Sequence, residues 1–293
     1  MTSVLREYSS KSSTRLLVQR LGFGLITLIA MLTVFLILAI VIIIIIKGFS
    51  ALSAEFIFGF PSNGMRSGGI FPAIIGTILL TIGTAIFCTP LGIGAGIYLA
   101  EYASDNYFTR IIRIAIINLA GIPSVVYGLF GLALFVVALR TGVSILAGSL
   151  TLGIMTLPVI ISTCEEALRS VPQSFRVVSC SLGATQWQTI RKIVLPQALP
   201  GIITGVVLGL ERAAGETAPI LFTAAVFYLP RIPLSPLDAT MALPYHLYVV
   251  STQVPGMPEN IKYGTALVLL MLVLGMNVIA TLIRSRARAH RQW

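Results

Sequence analysis

Charge is scarce in this chain. Only 10% of its 293 residues are Asp, Glu, Lys or Arg, where a soluble domain carries roughly a quarter. Mean hydropathy is +0.96, and a soluble globular fold is excluded. Histidine is nearly missing: His246 and His290 both fall outside the apolar runs, with no acidic or cysteine partner at ligand spacing. Neither a metal site nor the nucleophile and base of an intramembrane enzyme can be assembled from them. The cysteines, Cys88, Cys164 and Cys180, are odd in number, lack metal-ligand spacing and read as packing residues. No G-x-x-x-x-G-K-[ST] pattern occurs, so the phosphate loop of an ATPase is absent. The basic excess, 20 Lys and Arg against 10 Asp and Glu, is divided among short clusters and makes no basic face, which argues against nucleic acid as a partner.

What the chain has instead is long apolar runs. A bilayer core of about 30 Å takes about 20 apolar residues of helix, and six runs reach that length. They predict an all-α, polytopic membrane protein with six transmembrane helices embedded in a lipid bilayer. The first, 21–46, is an unbroken run of 26 residues, too long for a signal-peptide core and followed by no A-x-A site, so it is expected to stay as an anchor. Runs 70–100, 111–139, 143–163 and 199–227 are interrupted by Pro90, Pro123, Pro158 and Pro219. Lipid tolerates such breaks only where neighbouring helices or a cavity satisfy the freed backbone groups, which places these spans inside a bundle. The sixth run is 263–283.

Six spans put both termini on one side, and the positive-inside rule says which. With the termini inside, 14 of the 20 Lys and Arg are cytoplasmic, 5 are external, and Arg212 lies within a span. The inside clusters include Arg6, Lys11, Arg15 and Arg20 at the start, and Arg284, Arg286, Arg288 and Arg291 at the end. The expected order is a cytoplasmic segment 1–20, a first helix 21–46, an external segment 47–69, a core 70–283 and a basic cytoplasmic tail 284–293.

Within the core, 165–196 is too polar to span. Ser170 with Gln173 and Thr185 with Gln188 are capping-box signatures, predicting two short helices within 170–192 hinged at Gly183. Phe175, Val178 and Leu182 form an apolar stripe on the first, and Trp187, Ile190 and Val194 one on the second. Two uses stay open, lying on the lipid surface or docking to a cytoplasmic partner. On the external side, 228–262 is rich in proline around the apolar stretch 241–250, a candidate re-entrant piece or gate, with His246 in a packing or interfacial role.

The fifth run carries the chemistry, GIITGVVLGLERAAGETAPILF over 201–222. Its middle falls at Ala213, which puts Glu211, Arg212 and Glu216 near the bilayer centre, where each charge costs about 2.5 to 3.5 kcal/mol. Arg212 and Glu216 are i, i+4 neighbours and can pair. Glu211 points about 100° away from Arg212 and needs a partner from another chain or a hydrated pathway. Gly201, Gly205, Gly209 and Ala213 form a small-residue ridge that admits a second helix closely. The ion pair has two readings, a register-fixing pair or the wall of a substrate path.

Five stretches carry a resemblance: GGIFPAIIGTILLT (68–81), PLGIGAGIYLAEYA (90–103), GIPSVVYGLFGL (121–132), SLGATQWQTIRKIVLPQALPGIITG (181–205) and ERAAGETAPILFTA (211–224). Over about 48–283 the chain resembles the PstA-type permease subunits of bacterial phosphate ABC importers, a type I family. Gly183, Ile193 and Pro196 match the coupling signature of such permeases, while Val177, Val178 and Ser179 stand where E-A-A is usual. The resemblance implies a type I importer permease fold in the bacterial inner membrane. It also implies a sister permease of PstC type, a cytoplasmic ATPase dimer that binds the ATP, and an external phosphate-binding protein. This chain would then bind no cofactor itself. Glu211, Arg212 and Glu216 would line the substrate path, and Phe175, Val178, Leu182, Gly183, Trp187 and Ile190 would form the ATPase coupling surface. Another oxyanion importer or a secondary anion transporter is the competing class; the latter would not need the paired cytoplasmic helices, and no internal repeat of the kind such carriers show is found.

Overall fold

The computed structural model describes residues 2–289, with side chains at 18–282 and at 285. The side chains of Arg6, Lys11, Arg15, Arg284, Arg286, Arg288, His290 and Arg291 lie outside the described ones. Helix α1 (Thr2–Gly48) holds the first apolar run and extends unbroken back through the segment expected before it. Its residues 18–38 are exposed throughout, as a lipid-facing helix must be when nothing in the chain covers it. It packs alongside α12 (Glu259–Ala289) and is pinned at its end. There Gly48 lies so close to α12 that an added Cβ would stand 2.6 Å from the Tyr263 carbonyl oxygen. Lys47 Nζ pairs with Glu259 Oε2 at 3.0 Å and sits 4.9 Å above the Tyr263 ring.

The segment 49–69 between α1 and the next long helix is ordered by local chemistry. Ser53 accepts the Phe56 amide to cap α2 (Ala54–Phe58). A two-stranded antiparallel hairpin follows, β1 (Pro61–Ser62) with β2 (Ser67–Gly68). Its turn holds Asn63, Gly64 and Met65 at positive φ. The all-α expectation describes the spans and misses this hairpin, whose strands are too short to show alternation.

Helices α3 (Phe71–Ile97) and α6 (Ile145–Arg169) form the centre and run parallel. Gly83 abuts Ser149, Gly92 abuts Ile160 and Gly96 abuts Cys164, contacts that advance together along both helices, as only parallel helices allow. The chain between them has to return the full length of the bundle. It does so through α4 (Tyr107–Ala120) and α5 (Ser124–Gly131), the latter prolonged by the π turn Leu132–Ala138. The two arms meet at 100°, so the interruption expected at Pro123 in the run 111–139 is a sharp bend. Pro123 has no N–H to donate and pushes Ile122 out of the helical region. Among the described residues five helices are long and apolar enough to cross a membrane, and the bent pair counts as a sixth if it is taken as one span.

After α6 come α7 (Gln173–Ser181) and α8 (Gln186–Thr189), which passes through the π turn Ile190–Val194 directly into α9 (Leu195–Gly215). The second expected short helix is therefore the first turn of a long one. A regular α turn would drive the ring of Pro196 into the Lys192 carbonyl, and the wider π turn relieves it. The Thr185–Gln188 capping box forms. The Ser170–Gln173 box does not: Ser170 caps the end of α6 instead, its hydroxyl donating to the Ala167 carbonyl at 2.7 Å, and Pro172 stands at the N-cap of α7.

Helix α9 runs antiparallel to α6, ending at Gly215 rather than continuing to 227. Glu216 and Thr217 break it, and α10 (Ala218–Thr223) restarts with Pro219 in its first turn. The loop after α10 closes the end of the bundle opposite α7: carbonyls of Thr223, Pro236 and Asp238 accept the amides of Ser144, Leu146 and Ile145 at the start of α6. The stretch 241–250, a candidate gate by sequence, is mostly α11 (Leu243–Thr252), whose Leu243, Val249 and Val250 are fully buried in the main apolar cluster. A smaller cluster of Cys164, Leu168, Val171, Val194, Ala198 and Ile202 fills the α7 end. From the Gly48 and Tyr263 contact, α1 and α12 both run toward that α7 end.

Candidate functional site

The break after Gly215 decides where the intramembrane charges sit. The sequence places Glu211, Arg212 and Glu216 mid-span; α9 ends there, so they stand in its last turn and at its C-cap, while Gly209 against Ile160 of α6 and Glu211 beside Asn277 of α12 keep them level with the middle of those helices. Glu216 has an extended backbone there, with φ −76° and ψ 136°. It turns inward, its side chain 19% exposed, beside Thr77 and Thr81 of α3, Leu152 of α6 and Pro244 of α11. Arg212 stays on the outer surface of α9, its side chain 40% exposed, with Nε 3.5 Å from Glu216 Oε1. At that separation the pair is at the limit of a hydrogen bond, weaker than a bidentate fork. Close enough to Tyr127 of α5 for its charge to act on that phenol, the arginine is still partly open at the surface of the described residues.

Glu211 points elsewhere. Its Oε1 is buried with no hydrogen-bond partner among the described residues. It lines a pocket of about 50 Å³ with Thr204, Asn277 and Thr281, and it interacts with the Asn277 amide. The partner expected from another chain is met inside this one by a neutral residue of α12. A search for cations missed it because Asn277 carries no charge.

The small-residue ridge is an internal seam. A Cβ added at Gly201 would stand 2.6 Å from Ala167 Cβ, one at Gly209 3.0 Å from Ile160 Cγ1, and one at Gly205 would run into Thr163 Oγ1. Ala213, 3% exposed, joins the main cluster. The ridge therefore fits α9 onto α6 of the same chain.

The six residues of the expected coupling surface divide. Leu182 (83% exposed), Val178 (58%) and Trp187 (54%) stand out from the surface. Ile190 is 1% exposed and is corrected from a partner contact to an anchor; Phe175 is partly buried, packing against the small cluster at this end of the bundle while it lines a surface pocket with Val178 and Leu182. Gly183 has φ +84°, a conformation that favours glycine, and it makes the turn between α7 and α8. Inside that turn Ser179 Oγ and Thr189 Oγ1 share a buried hydrogen bond of 2.8 Å.

Sequence reasoning missed a set of ion pairs beneath this surface. Glu165 Oε1 accepts Arg113 Nε at 2.9 Å and Arg169 Nε at 3.0 Å, and Glu101 holds Arg176 through two contacts. Of these, only Glu165 with Arg169 lies at helical spacing. Among the described residues no group of three His, Cys, Asp or Glu could hold a metal. His246 is 3% exposed with Nδ1 unpartnered, and burial pushes its pKa down to about 4, which keeps the ring neutral. The Leu234 and Ser235 amides hold the Asp238 carboxyl below its usual range.

Among solved structures, the fold is similar to the inward-facing MetNI methionine ABC transporter, with a TM-score of 0.60 at 19% identity over 73% of this chain and 94% of that one. It is also similar to a bacterial ABC transporter involved in import of the acidic polysaccharide alginate, with a TM-score of 0.58 at 14% identity over 77% and 80%. Among curated relatives, a probable ABC transporter permease, YqgI of Bacillus subtilis, is 35% identical over 91% of this chain and 95% of its own length. The phosphate transport system permease protein PstA of Mycobacterium leprae is 38% identical over 74% and 71%. A probable PstA of Methanocaldococcus jannaschii is 33% identical over 87% and 88%. Residues 92–289, from within α3 to the end of α12, match the family model of the binding-protein-dependent transport system inner membrane component. The chain belongs to that family of multi-pass inner membrane proteins.

Proposed function

We propose that this chain is the permease subunit of an ATP-driven importer of inorganic phosphate, sharing its translocation path with a sister permease of PstC type. A cytoplasmic ATPase dimer docks on Val178, Leu182 and Trp187, an external phosphate-binding protein delivers the solute, and both termini face the cytoplasm. The relatives named as phosphate permeases support the solute, and the excess of Lys and Arg on the α7 side supports the orientation.

One observation carries the reading: Arg212, in a family of transport permeases, is a partly exposed guanidinium within a membrane helix, held only loosely by Glu216. Phosphate carries one to two negative charges near neutral pH and sheds hydration in a narrow path. A guanidinium stays charged in low dielectric and offers a planar fork of donors to its oxygens. A fixed cation alone would hold the anion too long, since passage needs binding weak enough to leave. Glu216, at 3.5 Å, competes for the same guanidinium. Because it sits on the unwound backbone after Gly215, a small change at the break alters the pairing without moving α9. In an assembled complex, Arg212→Gln is expected to cut phosphate uptake by about 100-fold or more. Normal uptake by that complex would reduce the pair to a structural one.

A further inference from the structure

Glu101 lies in the π turn Tyr98–Tyr102 that ends α3, its side chain 7% exposed. Its Oε2 accepts Arg176 Nε at 3.1 Å and its Oε1 accepts Arg176 Nη2 at 2.5 Å, the two-pronged geometry that only a guanidinium provides. Arg176 is itself 15% exposed and spends its remaining donors on backbone: Nη2 also donates to the Leu168 carbonyl at 2.9 Å and Nη1 to the Val171 carbonyl at 2.8 Å. Leu168 is in the last turn of α6, where carbonyls lack intrahelical donors. Gln186, at the start of the rod that becomes α9, donates from Nε2 to the Glu101 carbonyl at 2.7 Å. The buried ion pair thus ties α3, α6 and α7 together, and the Gln186 amide adds the rod of α8 and α9 through the Glu101 backbone.

We propose that Glu101 and Arg176 are positioning residues for transport, a joint that makes the coupling helix α7 move as one body with the ends of α3 and α6. This rests on the reading of α7 as the ATPase dock. A force applied at the exposed Val178 and Leu182 reaches Arg176 within the same short helix. Arg176 delivers it to the two parallel central helices at once, which also carry the walls around Glu216 at their other ends. The pair's charges are buried, so neither partner can let go without leaving the other unpaired in low dielectric. The joint therefore transmits displacement rather than absorbing it.

The test uses the full complex of permeases and ATPase in proteoliposomes. Spin labels are placed at Tyr98→Cys and Val177→Cys, both exposed, with Cys180→Ser to remove the exposed native thiol. In the otherwise unchanged chain the label distance is expected to stay single and narrow with and without ATP. In Glu101→Gln it is expected to broaden, with solute taken up per ATP hydrolysed falling about tenfold, within the usual range of coupling between sites, while hydrolysis continues. Glu101→Asp, which keeps the charge, is expected to restore most of that ratio. A label distance that shifts between nucleotide states in the unsubstituted joint overturns the proposal, and so does a Glu101→Gln complex with an unchanged ratio. A complex that hydrolyses ATP, keeps the narrow distance and takes up no phosphate supports the joint and overturns the solute.

Discussion

At the residue scale, Arg212 and Glu216 show how one backbone break changes what a charge pair can do. Both were visible in the sequence because charge inside an apolar run is expensive, and four-residue spacing announced the pairing. The spacing did not show the break after Gly215, which turns Glu216 inward from the face that carries Arg212. With Arg212 exposed and Glu216 half-buried, Arg212→Lys is expected to retain a cation but lose the fork, leaving uptake impaired but measurable. Glu216→Gln is expected to slow turnover more than it weakens solute binding. Single-turnover release against equilibrium binding in the assembled complex separates the two effects. His246 makes a second prediction. Its pKa is about 4 in the folded protein against about 6.5 unfolded, so below pH 6.5 the unfolded chain takes up a proton that the folded one refuses. Stability is present in full above about pH 6.5 and declines as pH falls toward 4, by on the order of 3 kcal/mol. Thermal unfolding of the purified protein across that range should show the decline, and His246→Phe should flatten it.

At the scale of elements, the coupling segment separates into what fastens it and what it offers. Amphipathic spacing identified both stripes, but spacing alone cannot tell an apolar residue turned toward its own chain from one turned toward a partner. Ile190 is buried and Trp187 is exposed although they lie three residues apart, because the body of the bundle covers one side of the α8 turn. Trp187→Ala is therefore expected to leave the permease folded and to weaken ATPase co-purification by about 2 kcal/mol. Ile190→Ala is expected to destabilise the permease itself by roughly 2 to 5 kcal/mol. Comparing the thermal stability of the isolated permease with retention of the ATPase on it distinguishes the two; equal losses of stability would return both residues to the core. The α9 ridge was legible for the same reason in reverse. Four-residue repetition of Gly201, Gly205, Gly209 and Ala213 specifies close approach, while the identity of the approaching helix, α6 of the same chain, came only from the packing.

At the scale of the whole molecule, the decisive relation is that α3 and α6 run parallel. This obliges the bent α4 and α5 pair to count as one passage, which restores the even number of crossings that the positive-inside count assumed. Chemical labelling from each face tests the arrangement. Ser62→Cys and Pro255→Cys should react only from outside, and the exposed native Cys180 only from the cytoplasm, while Cys88 and Cys164 stay silent because they are buried. Reaction of Ser62→Cys from the cytoplasmic face alone would invert the topology.

The sequence by itself determined that this chain lives in a bilayer, roughly where its apolar spans lie, and where the paired short-helix pattern and the rare charges fall. Each of these follows from composition and local spacing, because transfer of apolar surface and of charge into lipid is additive along the chain. Tertiary structure decided what depends on neighbours distant in sequence: the partner of Glu211 on α12, the inward turn of Glu216, the burial of Ile190 and the joint of Glu101 with Arg176. Those two residues are 75 positions apart with no shared periodicity, and only the parallel descent of α3 and α6 to the same end of the bundle brings them together.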